Sequence, residues 1–197
     1  MRGGSRAGFT LIEVGVAIAV GLILLATITG VVLATTQSMD QVSRTTAIDG
    51  NLSRALEVFL RDFREAALDT VAVSDADPDR DSVRFQTIGP RTGASRRVGA
   101  IDESNVFQEN WSVTFLVDGA GNLFRSLRNG SGSLVAMRRI ASGIDARFDG
   151  GAGFEKGFAV TRVAGTNLYD ILIRMRGSYR DGAPLRREIR TTVLLRN

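Results

Sequence analysis

The sequence predicts an α+β protein in which one long N-terminal helix, apolar in its first half and amphipathic in its second, packs on a C-terminal antiparallel β-rich head. Three observations carry this reading. Residues 14–39 contain no charged side chain. Beyond them Ile48, Leu52, Leu56, Phe59, Phe63 and Ala67 recur at spacings of three and four, the stripe of an amphipathic helix. From residue 83 onward, short stretches rich in β-branched and aromatic residues alternate with Gly, Asn and Asp, as strands and turns do. A chain of 197 residues holds one such domain and a terminal appendage.

Composition removes whole classes of chemistry. There is no Cys, hence no disulfide framework, thiol nucleophile or thiolate metal site. There is no His either, which removes the commonest general base and metal ligand. Ser-His-Asp catalysis and the usual metal hydrolases are thereby excluded, and no other pattern points to an enzyme or a cofactor. Lys and Arg number 25 against 21 Asp and Glu, a net charge of +4 that permits anionic partners without requiring them.

The first element is the apolar run. A bilayer core takes about 20 apolar residues of helix, and residues 14–39 are enough. Arg2 and Arg6 precede the run with no acid beside them, whereas Asp40, Arg44, Asp49 and Arg54 mix their signs beyond it. The positive-inside rule then keeps the N-terminus cytoplasmic and sends the head outward. A secretory signal also begins with basic residues and an apolar region, and "ATTQS" (residues 34–38) has the small residues of a cleavage site. The run is too long for such a signal. A plain single-pass anchor fits the hydropathy but leaves Glu13 unexplained, because a charge in a spanning helix costs a few kcal/mol, less near an end.

The stretch Gly8-Phe9-Thr10-Leu11-Ile12-Glu13, after its short basic leader, closely resembles the class III signal of type IV pilins and pseudopilins. The resemblance implies that a prepilin peptidase cuts between Gly8 and Phe9 and methylates the new N-terminus at Phe9. Glu13 would become the fifth residue of the mature chain, the family's acidic position. There it would meet the N-terminal amine of its own or a neighbouring subunit. The plainer reading is an acid in the first helical turn, favoured by the helix dipole by about 0.3–1 kcal/mol. That alone does not justify a charge in lipid or in a filament core, where an unpaired charge is penalised by several kcal/mol. On the family reading Glu13 is an assembly residue, not a catalytic acid. The implied domains are a removed leader (1–8), a transmembrane and assembly helix (9–38), the amphipathic half of the helix (39–73) and a β-rich head (74–197). The implied partners are other pilins or pseudopilins, the prepilin peptidase and an inner-membrane assembly platform. The implied location is the inner membrane, single-pass, and then a pilus or pseudopilus.

The helical pattern extends from about Thr10 to Leu68, with Gly15, Gly21 and Gly30 weakening its first half by about 1 kcal/mol each. "SDADPDRDS" (residues 74–82) reads as a loop by composition. Strands are expected at 83–88, 112–117, 122–127, 134–140, 158–163, 168–176 and 188–195. "DGAGN" (residues 118–122) has the composition of a hairpin turn. "YDILIRMR" alternates with period two, as in a sheet with one wet face. Residues 89–105 read as an exposed loop.

Two further stretches narrow the resemblance. "FLRDFREAA" (residues 59–67) and the ending "REIRTTVLLRN" are similar to segments of the J-type pseudopilin of type II secretion and of PilW-like minor pilins. The absence of Cys departs from many major type IVa pilins and fits a minor pilin or pseudopilin better. Its function would be structural, initiating or capping a type IV pilus or secretion pseudopilus. The alternatives are a competence-type minor pilin whose head binds DNA, with affinity falling steeply with salt, and an unprocessed membrane-anchored binding domain. Asp75, Asp77, Asp79 and Asp81 alternate like the start of a calcium loop, but Arg80 stands where glycine is required and Gln86 where the bidentate glutamate belongs. They read as a solvated loop. The C-terminal arginines read as the wet face of strands, and Trp111 as a core or sheet residue.

Overall fold

The computed structural model describes residues 10–77, 80–90, 97–145, 148–149, 154–179 and 182–195. Its first element is α1 (Leu11–Arg64), a single 54-residue helix. The chain divides into two units, Met1–Ser43 and Arg44–Asn197, so α1 contributes to both.

In the first unit the side chains of α1 are exposed almost throughout, Leu11, Ile12, Ile23 and Leu25 among them. In the second unit α1 lays its stripe on the sheets. Leu52, Phe59 and Phe63 are buried as the periodicity predicts, while Ile48 and Leu56 are only partly buried. Ala55 and Asp62 are buried as well.

α1 ends at Arg64, short of the Leu68 that the stripe suggests. The reason is competition for backbone hydrogen bonds. The Ala67 N–H donates to Gln86 O at 2.7 Å, and the Ile88 N–H donates to Glu65 O at 2.8 Å. Ala66 forms an antiparallel bridge with Thr87. A short 3-10 turn (Leu68–Thr70) then leads into the strands.

The strands follow in order: β1 (Ala72–Asp77), β2 (Arg80–Phe85), β3 (Thr87–Ile88), β4 (Val98–Ile101), β5 (Phe107–Glu109) and β6 (Ser112–Val117). Then come β7 (Leu123–Arg128), β8 (Leu134–Ala141), β9 (Phe148–Asp149), β10 (Phe154–Glu155), β11 (Phe158–Arg162), β12 (Leu168–Ser178) and β13 (Pro184–Leu194). They form a five-stranded sheet of order β1-β2-β6-β7-β8, a three-stranded sheet β11-β12-β13, and the smaller sheets β3-β4-β5 and β9-β10. Each strand pair is antiparallel. The α+β architecture is therefore the one the sequence predicts.

Two loop expectations are corrected. Residues 74–82 are mostly strand, because β1 and β2 pair as a hairpin over Ala72–Asp77 and Arg80–Phe85. Aspartate-rich composition disfavours strands only weakly once the backbone has a ladder to join. Within 89–105, Val98–Ile101 is strand β4, paired on both edges, with Ala100 fully buried. The "DGAGN" segment is a turn: the Asp118 N–H donates to Asn122 O at 3.0 Å, and Gly121 has φ +76°. A Cβ there would also come within 2.5 Å of Ile144 O, so the turn needs glycine twice over.

Phe59 of α1 is the centre of the core. Its ring lies 5.0 Å from that of Phe63, 4.9 Å from Phe115 on β6 and 5.7 Å from Phe158 on β11. One helical side chain thus touches both large sheets. Phe63 extends the cluster to Phe85 and Tyr169, each edge-on at 5.3 Å.

Candidate functional site: the N-terminal helix

The first turn of α1 is closed by a reciprocal pair. The Thr10 N–H and hydroxyl both donate to Glu13 Oε2, at 2.9 and 3.1 Å, and the Glu13 N–H donates to Thr10 Oγ1 at 3.3 Å. This is the capping box that Thr-x-x-Glu forms, each residue satisfying a backbone donor of the other. Glu13 Oε1 accepts no hydrogen bond from a described residue. The carboxylate thus has one oxygen in the cap and one left unpaired among the described residues, at the start of an apolar helix. Gly8 and Phe9, the two sides of the expected cleavage junction, lie outside the described residues.

Beyond Glu13 the helix meets the requirements of a membrane span in length and composition, and none of that stretch is buried within the chain. Its threonine hydroxyls are satisfied internally. The hydroxyls of Thr27, Thr29, Thr35 and Thr36 each donate at 2.8 Å to the carbonyl four residues earlier. Hydrocarbon offers no other partner for such groups, so hydroxyls folded back on the helix remove the cost of burying them. Gly15, Gly21 and Gly30 meet nothing within 4 Å of a notional Cβ. α1 is continuous through all three. Among the described residues there is one candidate membrane-spanning helix, near the N-terminus, consistent with single-pass anchoring.

Asp81 is the one member of the aspartate series placed by contacts among the described residues. Asp75 and Asp77 fall in β1, and Asp79 lies outside the described residues. Asp81 is on β2 and buried, its Oδ1 2.5 Å from Lys156 Nζ and its Oδ2 accepting the Val160 N–H at 3.1 Å. Burial raises the Asp81 carboxyl above its ordinary value, and the Val160 amide opposes this. With an ammonium and an amide against it, Asp81 is a tie between β2 and β11 and not an open ligand. Among the described residues no group of His, Cys, Asp and Glu is arranged to hold a metal ion.

The C-terminal arginines are not all on a wet face. Tyr169, Ile171, Ile173 and Met175 of β12 are buried and Asp170 and Arg176 exposed, as alternation predicts, but Arg174 is buried too. It is accommodated by an ion pair to Glu188 at 2.6 Å and a bond to Lys156 O at 3.3 Å. Arg187 pairs with Asp49 of α1 at 3.2 Å. Trp111 is partly buried against the core.

Sequence reading anticipated none of these charged pairs, and one more lies on α1 itself. Asp62 on α1 accepts from Arg125 of β7 at 2.5 Å, and Arg125 also donates to Ile101 O at 3.0 Å. The signal available was an acid beside Phe63 and three residues after Phe59, on the helix face where apolar side chains are expected. This pair lines a cleft of about 910 Å³ together with residues of the last turns of α1, the β4–β5 loop and the end of β8. No protein-family model matches the chain, and neither a curated protein nor a solved structure matches it.

Proposed function

We propose that this chain is a prepilin that matures into a minor pilin or pseudopilin, a structural subunit that helps initiate or cap a pilus or secretion pseudopilus. The observation that carries the proposal is Glu13: an acidic side chain with one oxygen unpaired among the described residues, in the first turn of a helix whose first half is otherwise apolar and exposed. A plain anchor gains nothing from a charge there. A subunit whose helix packs beside neighbours bearing free N-terminal amines gains a partner for it. The leader junction Gly8-Phe9 supplies the amine if residues 1–8 are removed.

The capping box favours a second reading, in which Glu13 only closes the helix start of an unprocessed single-pass protein. Processing separates the two. Co-expressed with a prepilin peptidase, the chain is expected to lose residues 1–8 and to begin at Phe9 with one added methyl group, read by intact mass and N-terminal peptide mapping. Retention of Met1, or cleavage near residue 38, overturns the pilin proposal.

A further inference from the structure

Lys156 is the only lysine in the chain; every other basic residue is an arginine. It stands two residues before β11, with its Nζ 2.5 Å from Asp81 Oδ1 on β2. The Asp81 side chain is 6% exposed and that of Lys156 23%, so the pair is largely withdrawn from water. Asp81 Oδ2 accepts the Val160 N–H at 3.1 Å. An amine and a carboxyl are thus held in contact between a strand of the five-stranded sheet and the chain entering the three-stranded one, with an amide donor on the second oxygen.

We propose that Lys156 Nζ and Asp81 Cγ condense to an isopeptide bond that ties β2 covalently to the segment leading into β11. Three features of the site favour the step. The fold holds the reacting groups together, which removes the entropic cost of their meeting. Burial disfavours the charged forms of both, and it raises the Asp81 carboxyl above its ordinary value. Transfer of one proton along the hydrogen bond then gives a neutral amine beside a neutral acid. The amine attacks Cγ, and the negative charge that develops on Oδ2 meets the Val160 N–H, placed as an oxyanion donor is. Oδ1 leaves as water with two of the three ammonium protons, and the third stays on the amide nitrogen. No oxidant, cofactor or second protein enters the balance. The product is uncharged, so the desolvation cost of a buried ion pair disappears with it. An arginine at this position could pair with Asp81 but not condense with it, because a guanidinium does not give up its charge. With no Cys in the chain, no disulfide can supply such a tie. The bond joins residues 75 apart in sequence and constrains the unfolded chain as a disulfide does. The inference does not depend on processing at Gly8.

A single lysine makes the test direct. The full chain, purified from membranes and denatured, is expected to weigh one water less than its sequence, once any N-terminal processing is allowed for. Its tryptic digest should contain a branched peptide joining residues 81–84 to residues 148–162, uncut at Lys156. An amine-reactive label applied in denaturant should leave Lys156 unmodified in the parent and modify it in Asp81→Ala. Lys156→Arg keeps a cation opposite Asp81 and so spares the fold. It should show no water loss and no branched peptide, and it should unfold at a lower denaturant concentration than the parent. A parent that carries its full mass and a labelled Lys156 overturns the proposal. So does a water loss that persists in Lys156→Arg or that maps to other residues.

Discussion

Asp62 shows most clearly how a single side chain can defy a pattern. The apolar stripe of α1 calls for a hydrophobic residue in this region, yet Asp62 is only 8% exposed and paired at 2.5 Å with an arginine 63 residues away. A buried ion pair adds little stability over an apolar replacement, but removing one partner strands the other. Asp62→Ala leaves Arg125 with only the Ile101 carbonyl and is expected to cost about 3–5 kcal/mol. Asp62→Leu/Arg125→Met should be far milder, as urea melts of the single and double variants would show. Equal losses in the two would mean that the charges are not coupled. Sequence analysis singled out neither Asp62 nor its partner, because an arginine on a strand carries no mark of what lies across the core. Exposed carboxylates set the pH response. Asp102 is held below its ordinary 3.8 by the Val106 amide first and then by the Gln108 side chain, with the Ser104 amide adding. Glu109 is held below 4.5 by its hydrogen bond and charge contact with Arg97. Depressed folded-state values stabilise the fold above the unfolded values, and that stability is lost as pH falls through the folded ones. The melting temperature should therefore hold down to about pH 5 and fall below pH 4, with Asp102→Asn flattening part of the drop.

Elements were legible where one periodicity governed a long stretch. β6 lies on the expected residues 112–117, and β12 begins at Leu168 as expected and runs two residues further. β4 and β5 were not legible, because four residues and three residues, with Gly99 and Ala100 among them, are too short to show alternation. Gly99 is held by packing: a Cβ there would lie 2.1 Å from Gln108 O on the paired strand. The end of α1 was missed for another reason, since it is set by the backbone of Gln86–Ile88 and not by any local stop signal. The docked half of α1 also ranks its own residues. Phe59 and Phe63 are fully buried at the junction of the sheets, so Phe59→Ala or Phe63→Ala should cost about 3–5 kcal/mol. Leu56 has the right spacing but is only partly buried, and Leu56→Ala should cost clearly less. Thermal melts of the three variants test the order, and a Leu56 loss matching that of Phe59 would mean that the helix docks with a different face.

At the scale of the whole molecule, the core belongs to one unit and the charge that distinguishes the chain's start belongs to the other. Every buried hydrophobic residue among the described ones lies at Leu52 or beyond. Residues 44–197 expressed alone should accordingly fold and melt cooperatively within a few degrees of the full chain, and an unfolded fragment would show that the apolar half supports the head. Glu13 then has work to do only where the apolar half meets a membrane or other subunits. The capping box supplies a way to separate its two roles. Glutamine also closes a Thr-x-x-Gln box but carries no charge. Alanine removes both cap and charge, and aspartate keeps the charge with a shorter reach. None of these changes adds a charge to the span, so membrane insertion should be retained or improved in all three. Cleavage at Gly8 should continue, because the junction itself is intact. If the carboxylate pairs with a neighbour's amine, Glu13→Gln should lose co-purification with partner subunits as fully as Glu13→Ala, while Glu13→Asp retains a part of it. Membrane content, N-terminal mass and partner recovery, measured on the four proteins side by side, decide the matter. A Glu13→Gln chain that assembles like its parent would reduce Glu13 to a helix cap and remove the assembly role proposed for it.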